Sequence, residues 1–316
     1  MSELQLFSYG GPDCLKFVSD TVVPTPKDDE VQLKVMAAGV NVIDTKIRKG
    51  TSFAAKARGN NFPWVLGFDV AGEVMAVPNA EVNWQKGDRV CGLVGFVQQA
   101  GAYCSVGCFK ANELARVPDS VGMREAAALP LAGLTAWQAL FEVGRLKPGE
   151  TVIISAGAGG VGHLAVQLAT LAGAKVYAIA SKKNHAFLKS LGALDVCEYH
   201  EDEYLRWQSE ADLIIDLVGG QSAISSLSLL KINSRMVSVP TVTFQAVRLA
   251  ASNLSSEVLG MVVRPDVQQL EHLLQLVAEG KLRVCVSDAL ALKDGALAHE
   301  KIEAGHTLGK IVLIPE

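Results

Sequence analysis

The sequence predicts an α/β protein of two domains, one β-rich and one built on a doubly wound parallel sheet. Three observations carry this. At 316 residues the chain exceeds what one hydrophobic core usually serves, since cores stop growing near ~250 to 300 residues. Near residue 121 the text changes from short β-like pieces to an Ala/Leu-rich stretch. After Glu150, apolar runs alternate with helical periods, the pattern of a parallel sheet covered on both faces.

From residue 4 to about 120, pieces such as "EVQLKVMAAGVNV", "VAGEVMAV" and "DRVCGLVG" are separated by Gly, Pro, Asn and Asp turn signals, which predicts a rolled or barrel-like sheet. The segment "PDSVGMREAAALPLAGLTAWQALFEVGRLKPGE" is helix-forming and closes in a Lys-Pro-Gly-Glu turn. Next come the strand "TVIISA", the helix "GVGHLAVQLATLAG", the strand "AKVYAIA", the helix "KKNHAFLKSLGA" and the strand "ADLIIDLVG". The pattern fades near "VVRPD". An amphipathic helix, "VQQLEHLLQLVAEGK", then leads to "RVCVSDAL" and a last strand, "GKIVLIP". The expected domains are 1–121 with 263–316, and 122–262. No internal repeat or low-complexity segment interrupts them.

A net charge of -4, with no Lys/Arg run longer than "KK" at 182, supplies no broad footprint for nucleic acid or anionic lipid. Small-molecule chemistry is the expectation, with no nucleic-acid or membrane partner. The opening "MSELQLFSYGG" has no basic leader or apolar core of signal-peptide length, so a cytoplasmic protein is expected. Six scattered cysteines form no framework and are expected to be free, mostly buried thiols. No charged side chain lies between Glu150 and Lys175, yet the four glycines packed into "GAGGVG" suit a buried turn and helix better than lipid. No G-x-S-x-G elbow supports a hydrolase.

The strand "TVIIS" runs into Gly157-Ala158-Gly159-Gly160-Val161-Gly162 and then a helix, which is the context a G-x-G-x-x-G needs to bind a dinucleotide. The first glycine allows the tight turn, the second lets the backbone approach a pyrophosphate, and the third permits close packing of helix and strand. N–H groups at the helix start face the anion. The next strand ends in Ser181-Lys182-Lys183-Asn184, with no acid where NAD enzymes place one on the adenosine ribose. A hydroxyl and two cations favour the 2'-phosphate of NADPH. Alternatively, both lysines are a solvated helix start.

The segments "AAGVNVIDTKIRKG", "LGFDVAGEV", "KGDRVCG", "AAALPLAGLTAW", "ISAGAGGVGHLAVQLA", "IIDLVGG" and "EAGHTLGKIVL" together resemble the medium-chain dehydrogenase/reductase superfamily, in its zinc-independent quinone oxidoreductase, or zeta-crystallin-like, branch. The resemblance covers nearly the whole chain. It implies a GroES-like first domain completed by the C-terminal tail, a Rossmann second domain, and a homodimer often joined through the Rossmann sheets. In the superfamily's zinc alcohol dehydrogenases a Cys stands at the position of Asn41, and His-Glu at the positions of Phe68 and Asp69. With Asn and Phe there, that coordination shell cannot be assembled. The cysteines at 91, 104 and 108 are three at the wrong intervals for the separate structural-zinc lobe, so no metal is expected.

Without a Lewis acid the easier reaction is hydride addition to a conjugated acceptor, whose charge delocalises onto an oxygen that hydrogen-bond donors can stabilise. The expectation is an NADPH-dependent reductase of quinones or α,β-unsaturated carbonyls. Asn41 would hold the carbonyl oxygen, while Asp44 would organise the site or bond the nicotinamide ribose, since an unperturbed carboxyl is ionised at neutral pH. Both residues would equally serve as caps of the "DTKIRKG" helix. The resemblance places Thr135 beside the nicotinamide and Tyr199 on the adenosine side. Val218, Gly219 and Pro240 are expected to border the cofactor at strand ends. Thr135 could instead bond its own backbone, and Tyr199 could simply pack. Two departures stand out: Val42 replaces a frequent Tyr or Pro, and Asn184 replaces a frequent Lys, leaving Lys182 or Lys183 to reach the phosphate. Substrate selectivity would come from "TSFAAKARGNNFPW", Phe96, Val97 and the 240s. The rival readings are an enoyl-thioester reductase and an NADPH-binding sensor or assembly protein.

Overall fold

The computed structural model describes residues 1–78, 82–98, 101–198 and 203–316. The chain divides into two compact units, Met1–Leu131 with Arg264–Glu316, and Ala132–Val263. The first boundary lies at 131, ten residues beyond the expected 121, because helix Met123–Ala128 belongs to the first unit. It buries three consecutive alanines, Ala126 to Ala128, against the sheet. The approach is so close that a Cβ on Gly39 would lie 2.3 Å from the Ala127 carbonyl oxygen.

Among the described residues, the first 116 contribute β1 (Glu3–Leu6), β2 (Leu15–Val18), β3 (Glu30–Val40), β4 (Trp64–Val65), β5 (Asp69–Ala76), β6 (Arg89–Leu93), β7 (Val106–Lys110) and β8 (Leu114–Arg116). The second unit contains β9 (Thr151–Ile154), β10 (Lys175–Ile179), β11 (Asp195–Cys197), β12 (Ala211–Asp216), β13 (Leu230–Ser238) and β14 (Glu257–Gly260). The returning tail adds β15 (Val286–Ala291) and β16 (Lys310–Ile314).

In the first unit, β2-β1-β4 form a small sheet. The main sheet runs β15-β16-β3-β5-β6-β8, with β7 also on β3. The tail assigned to this unit from sequence thus enters its sheet, with β16 pairing directly against β3. Strand β3 starts with alternation, burying Val31, Leu33 and Val35, and ends fully buried from Ala37 to Val40, where β16 and β5 flank it. Period-2 patterning gives way to a continuous apolar run because both faces are covered there.

The second unit has the parallel order β11-β10-β9-β12-β13-β14, the doubly wound arrangement in which strand order reverses beside the first strand. Ile153, Ile214, Met236, Trp207 and Val247 belong to its core. Each fully buried aliphatic side chain contributes about 1.5–3 kcal/mol. The stretch without charges resolves into β9, a glycine turn and helix Gly162–Leu171. Among the described residues no helix is long and apolar enough to cross a membrane.

Candidate active site

Strand register assembles a polar cluster inside the first unit. Ile311 of β16 pairs with Val40 of β3, so Lys310 comes beside Asn41, while β5 brings Asp69 opposite Gly39. Asn41 directly follows β3 and caps helix Val42–Arg48 in an extended conformation. Its amide nitrogen donates to Asp69 Oδ2 at 2.9 Å, and its amide oxygen accepts from Lys310 Nζ. Lys310 also donates to the Val40 carbonyl at 3.1 Å and lies 3.5 Å from Asp69 Oδ2. The other Asp69 oxygen accepts from the Leu131 N–H at 2.9 Å. Asp44, one turn into the helix, accepts from the Asn41 N–H at 2.8 Å and from the Tyr103 hydroxyl at 2.9 Å. Capping and site-building are therefore combined: Asp44 does the reaching back that a capping box requires, while the Asn41 side chain turns to Lys310 and Asp69.

The whole cluster is out of water, with Asn41 at 5%, Lys310 at 4% and Asp44 and Asp69 at 0% exposure. Burial pushes the Asp44 carboxyl up to about 7, with the Asp69 charge adding to it, against the lowering effects of the Asn41 N–H, the Tyr103 hydroxyl and Lys310. The unperturbed carboxyl expected from sequence is thus replaced by one that titrates near neutrality. Burial likewise raises Asp69, which Lys310 opposes, and lowers Lys310, which Asp69 and Asp44 oppose. Beyond Tyr103, the ring of His299 stands edge-on at 6.0 Å between centroids. Arg48, also fully buried, donates from Nε to His299 Nδ1 at 3.3 Å and reaches the Gly10 carbonyl and Glu303. Because Nδ1 accepts, the neutral ring carries its proton on Nε2. Burial, reinforced by Arg48, lowers His299 to about 3. Asp44 Oδ1 and His299 Nε2 are buried without a hydrogen-bond partner among the described residues.

These residues do not fit a zinc ion. Phe68 has no donor atom and packs edge-to-face on Phe96 at 5.3 Å. The Asn41 oxygen is occupied by an ammonium group, so a metal would have to displace a cation already held by Asn41 and Asp69. Among the described residues no group of three or more His, Cys, Asp and Glu side chains is arranged to hold a metal.

In the second unit the candidate nucleotide residues gather at the carboxyl ends of parallel strands. The Gly157 N–H bonds the Ile179 carbonyl at 3.0 Å, which ties the glycine turn to the end of β10. A Cβ at Gly162 would lie 2.3 Å from the Ala156 oxygen and 2.7 Å from Gly157 Cα, so this glycine is demanded by packing. At Gly159 the nearest atom to such a Cβ is the Ala156 oxygen at 3.3 Å, which leaves room for an anion to approach the backbone. The buried His163 ring holds the Gly159 carbonyl at 2.9 Å. Gly160 and Val161, both half-buried, lead into helix Gly162–Leu171, in whose first turn the His163 and Leu164 N–H groups bond the Gly159 and Val161 carbonyls at 3.1 and 3.2 Å, so what this helix end offers an anion is chiefly the positive end of its dipole.

At the end of β12, Asp216 Oδ1 accepts from the Val218 and Gly219 N–H groups at 3.0 and 2.8 Å, and Ser238 donates to its Oδ2 at 2.7 Å. Val218 is left 51% exposed, a hydrophobic surface at the strand end. Gly219 has φ 78°, and a Cβ there would meet Thr243 Oγ1 at 2.2 Å and Pro240 Cβ at 3.0 Å, so Val218, Gly219 and Pro240 belong to one cluster. Ser181, Lys182 and Lys183 follow β10, with both lysines exposed. Thr135 is 3% exposed on the separate helix Pro130–Trp137. Tyr199 lies outside the described residues.

Sequence reasoning missed Lys310, Asp69 as a partner of Asn41, Tyr103, Asp216 and Glu198. No acid follows β10 in the chain, as read from the sequence, but one reaches its turn from elsewhere. Glu198 reaches over from the end of neighbouring β11, and its Oε1 accepts from the Lys182 N–H at 2.7 Å. A lone Lys in the apolar "GKIVL" and a lone Asp closing "LIID" were the available signals.

The family described as "Alcohol dehydrogenase GroES-like domain" matches residues 27–136, and "Zinc-binding dehydrogenase" matches 191–313. A chloroplastic quinone-oxidoreductase homolog of Spinacia oleracea is 35% identical over 347 residues, spanning 100% of this chain and 98% of that protein. The solved quinone oxidoreductase of Coxiella burnetii is 40% identical with a TM-score of 0.95, covering 99% of both chains. The Escherichia coli quinone oxidoreductase complexed with NADPH is 30% identical with a TM-score of 0.84, covering 100% of both. With its GroES-like and Rossmann units, the chain belongs to the medium-chain dehydrogenase/reductase superfamily of oxidoreductases, in the zinc-independent quinone oxidoreductase branch.

Proposed function

We propose that the protein is an NADPH-dependent reductase that adds hydride to a quinone or an α,β-unsaturated carbonyl without a metal. The observation that carries this reading is the Lys310–Asn41–Asp69 arrangement, in which an ammonium-held amide stands where the superfamily's zinc enzymes begin their coordination shell. A bound nicotinamide dinucleotide supplies the hydride. One amide hydrogen of Asn41 goes to Asp69, and the second is the donor assigned to the acceptor's oxygen. Lys310 and Asp69 fix the amide plane, so little reorganisation is needed as negative charge develops on that oxygen. Asp44, fully buried, is a positioning residue: it holds the Asn41 backbone and the Tyr103 hydroxyl.

The glycine turn and the exposed Lys182 and Lys183 support the NADPH assignment, as does the NADPH complex of the Escherichia coli relative. Among the described residues β14 is an edge strand of its sheet, which suits the homodimer that the resemblance implies. The test is NADPH consumption by EDTA-treated protein offered a para-quinone, a short enone and a simple ketone. Turnover of the conjugated acceptors alone is the expected result. Activity restored only by zinc would overturn the metal-free mechanism, and tight NADPH binding with no turnover would favour a sensor.

A further inference from the structure

The turn after β10 and the end of β11 meet at one backbone N–H. Ile179 pairs with Cys197 in parallel register, and the Ala180 N–H bonds the Cys197 carbonyl at 3.0 Å. The next residue of β11's chain, Glu198, is thereby carried to the start of the Ser181–Asn184 turn, where its Oε1 accepts from the Lys182 N–H at 2.7 Å. The turn is held independently by the Asn184 N–H on the Ser181 carbonyl at 2.8 Å. Its shape therefore does not depend on the carboxylate.

We infer that Glu198 determines the choice of dinucleotide: its carboxylate supplies, from the neighbouring strand, the ribose acceptor that β10 lacks, so the site takes NADH alongside NADPH. The inference rests on the nucleotide reading of the glycine turn. In parallel sheets of this winding the adenosine ribose is recognised just beyond the second strand, here β10. A ribose 2'-hydroxyl can donate to Glu198 without disturbing the Lys182 bond, because a carboxylate has several acceptor sites. A 2'-phosphate must instead compete with Glu198 for the Lys182 N–H, beside a like charge. Lys182 and Lys183 offset that repulsion through their exposed ammonium groups. The two cations and the carboxylate thus pull selectivity in opposite directions.

The test is fluorescence titration of wild type, Glu198→Gln and Lys182→Ala/Lys183→Ala protein with NADPH and NADH at low and high salt. Gln retains an oxygen for the Lys182 N–H, so Glu198→Gln is expected to melt with wild type. It should shift the affinity ratio toward NADPH by about tenfold or more, the equivalent of ~1.4 kcal/mol, and less at high salt. The double lysine variant should shift the ratio toward NADH. If wild type binds NADPH and Glu198→Gln leaves the ratio unmoved, the inference falls and the nucleotide reading stands. If wild type binds neither dinucleotide, the nucleotide reading falls and takes the inference with it.

Discussion

Lys310 Nζ donates to the side-chain oxygen of Asn41 across 269 residues of sequence, and this bond decides which way the amide faces. Its oxygen is committed to the ammonium and its nitrogen to Asp69, so toward any ligand Asn41 acts as a donor. Replacing Lys310 by Met leaves the Asp69 carboxylate and the Asn41 oxygen buried without their cation. A loss of ~3–5 kcal/mol in urea unfolding is expected, as for other buried pairs stripped of one partner. A loss below ~1 kcal/mol would show that the cluster does not depend on the charge.

Asn41→Ala removes the donor assigned to the acceptor's oxygen. Turnover of an enone should drop by ~10²–10³ while the NADPH dissociation constant stays within about twofold, the signature of an interaction made in the transition state. Equal losses in both quantities would mean that the residue only holds the fold.

The pH dependence of stability contains two opposing contributions. Asp44 is raised to about 7 in the folded protein, so its contribution is full below the ordinary carboxylate range and is lost as pH rises through 7. His299 is lowered to about 3, so its contribution is present above ~6.5 and is lost as pH falls toward 3. Between about pH 4 and 6.5 the two slopes nearly cancel. Asp44→Asn should therefore become more stable as pH rises through that window. His299→Gln should become less stable by roughly 2–3 kcal/mol between pH 5 and 8. Parallel curves for the two variants, measured by urea unfolding at each pH, would refute the opposing assignments.

Two glycines of the same turn separate folding from binding. Gly162→Ala drives a Cβ into backbone atoms at 2.3 and 2.7 Å and should destabilise the second unit by ~1–3 kcal/mol, with loss of dinucleotide binding. Gly159→Ala meets the Ala156 backbone oxygen at 3.3 Å, a tight contact that a shift of a few tenths of an ångström relieves, so its melting temperature should fall far less than that of Gly162→Ala. NADPH affinity should nevertheless fall by tenfold or more, since the methyl group occupies the side from which the pyrophosphate approaches. Unchanged affinity in Gly159→Ala would move the phosphate elsewhere.

Much of the fold was legible because its signals are local. The glycine turn, the apolar strands and the period switch after Glu150 each lie within a few residues. Asn41 and Asp44 were found for the same reason, being three residues apart at a helix start. Lys310, Asp69 and Tyr103 join them only through strand register and packing, which no local spacing encodes. Glu198 escaped because its position opposite Lys182 depends on which strand neighbours β10. The first boundary was set too early because helix Met123–Ala128 is Ala-rich like the segment after it, while its packing against β3 is a tertiary fact.

The placement of β16 also matters while the chain is being made. A ribosome finishes Asn41 and Asp69 long before it reaches Lys310, 241 residues after Asp69. At ~5–20 residues per second that interval is on the order of ten to fifty seconds. Throughout it the flank of β3 that β16 will occupy stands as an open strand edge, with a buried carboxylate still lacking its counter-charge. The second unit, whose strands all lie between β8 and β15, can fold during that wait. The nascent first unit is therefore the part of this protein that most needs shielding by a chaperone.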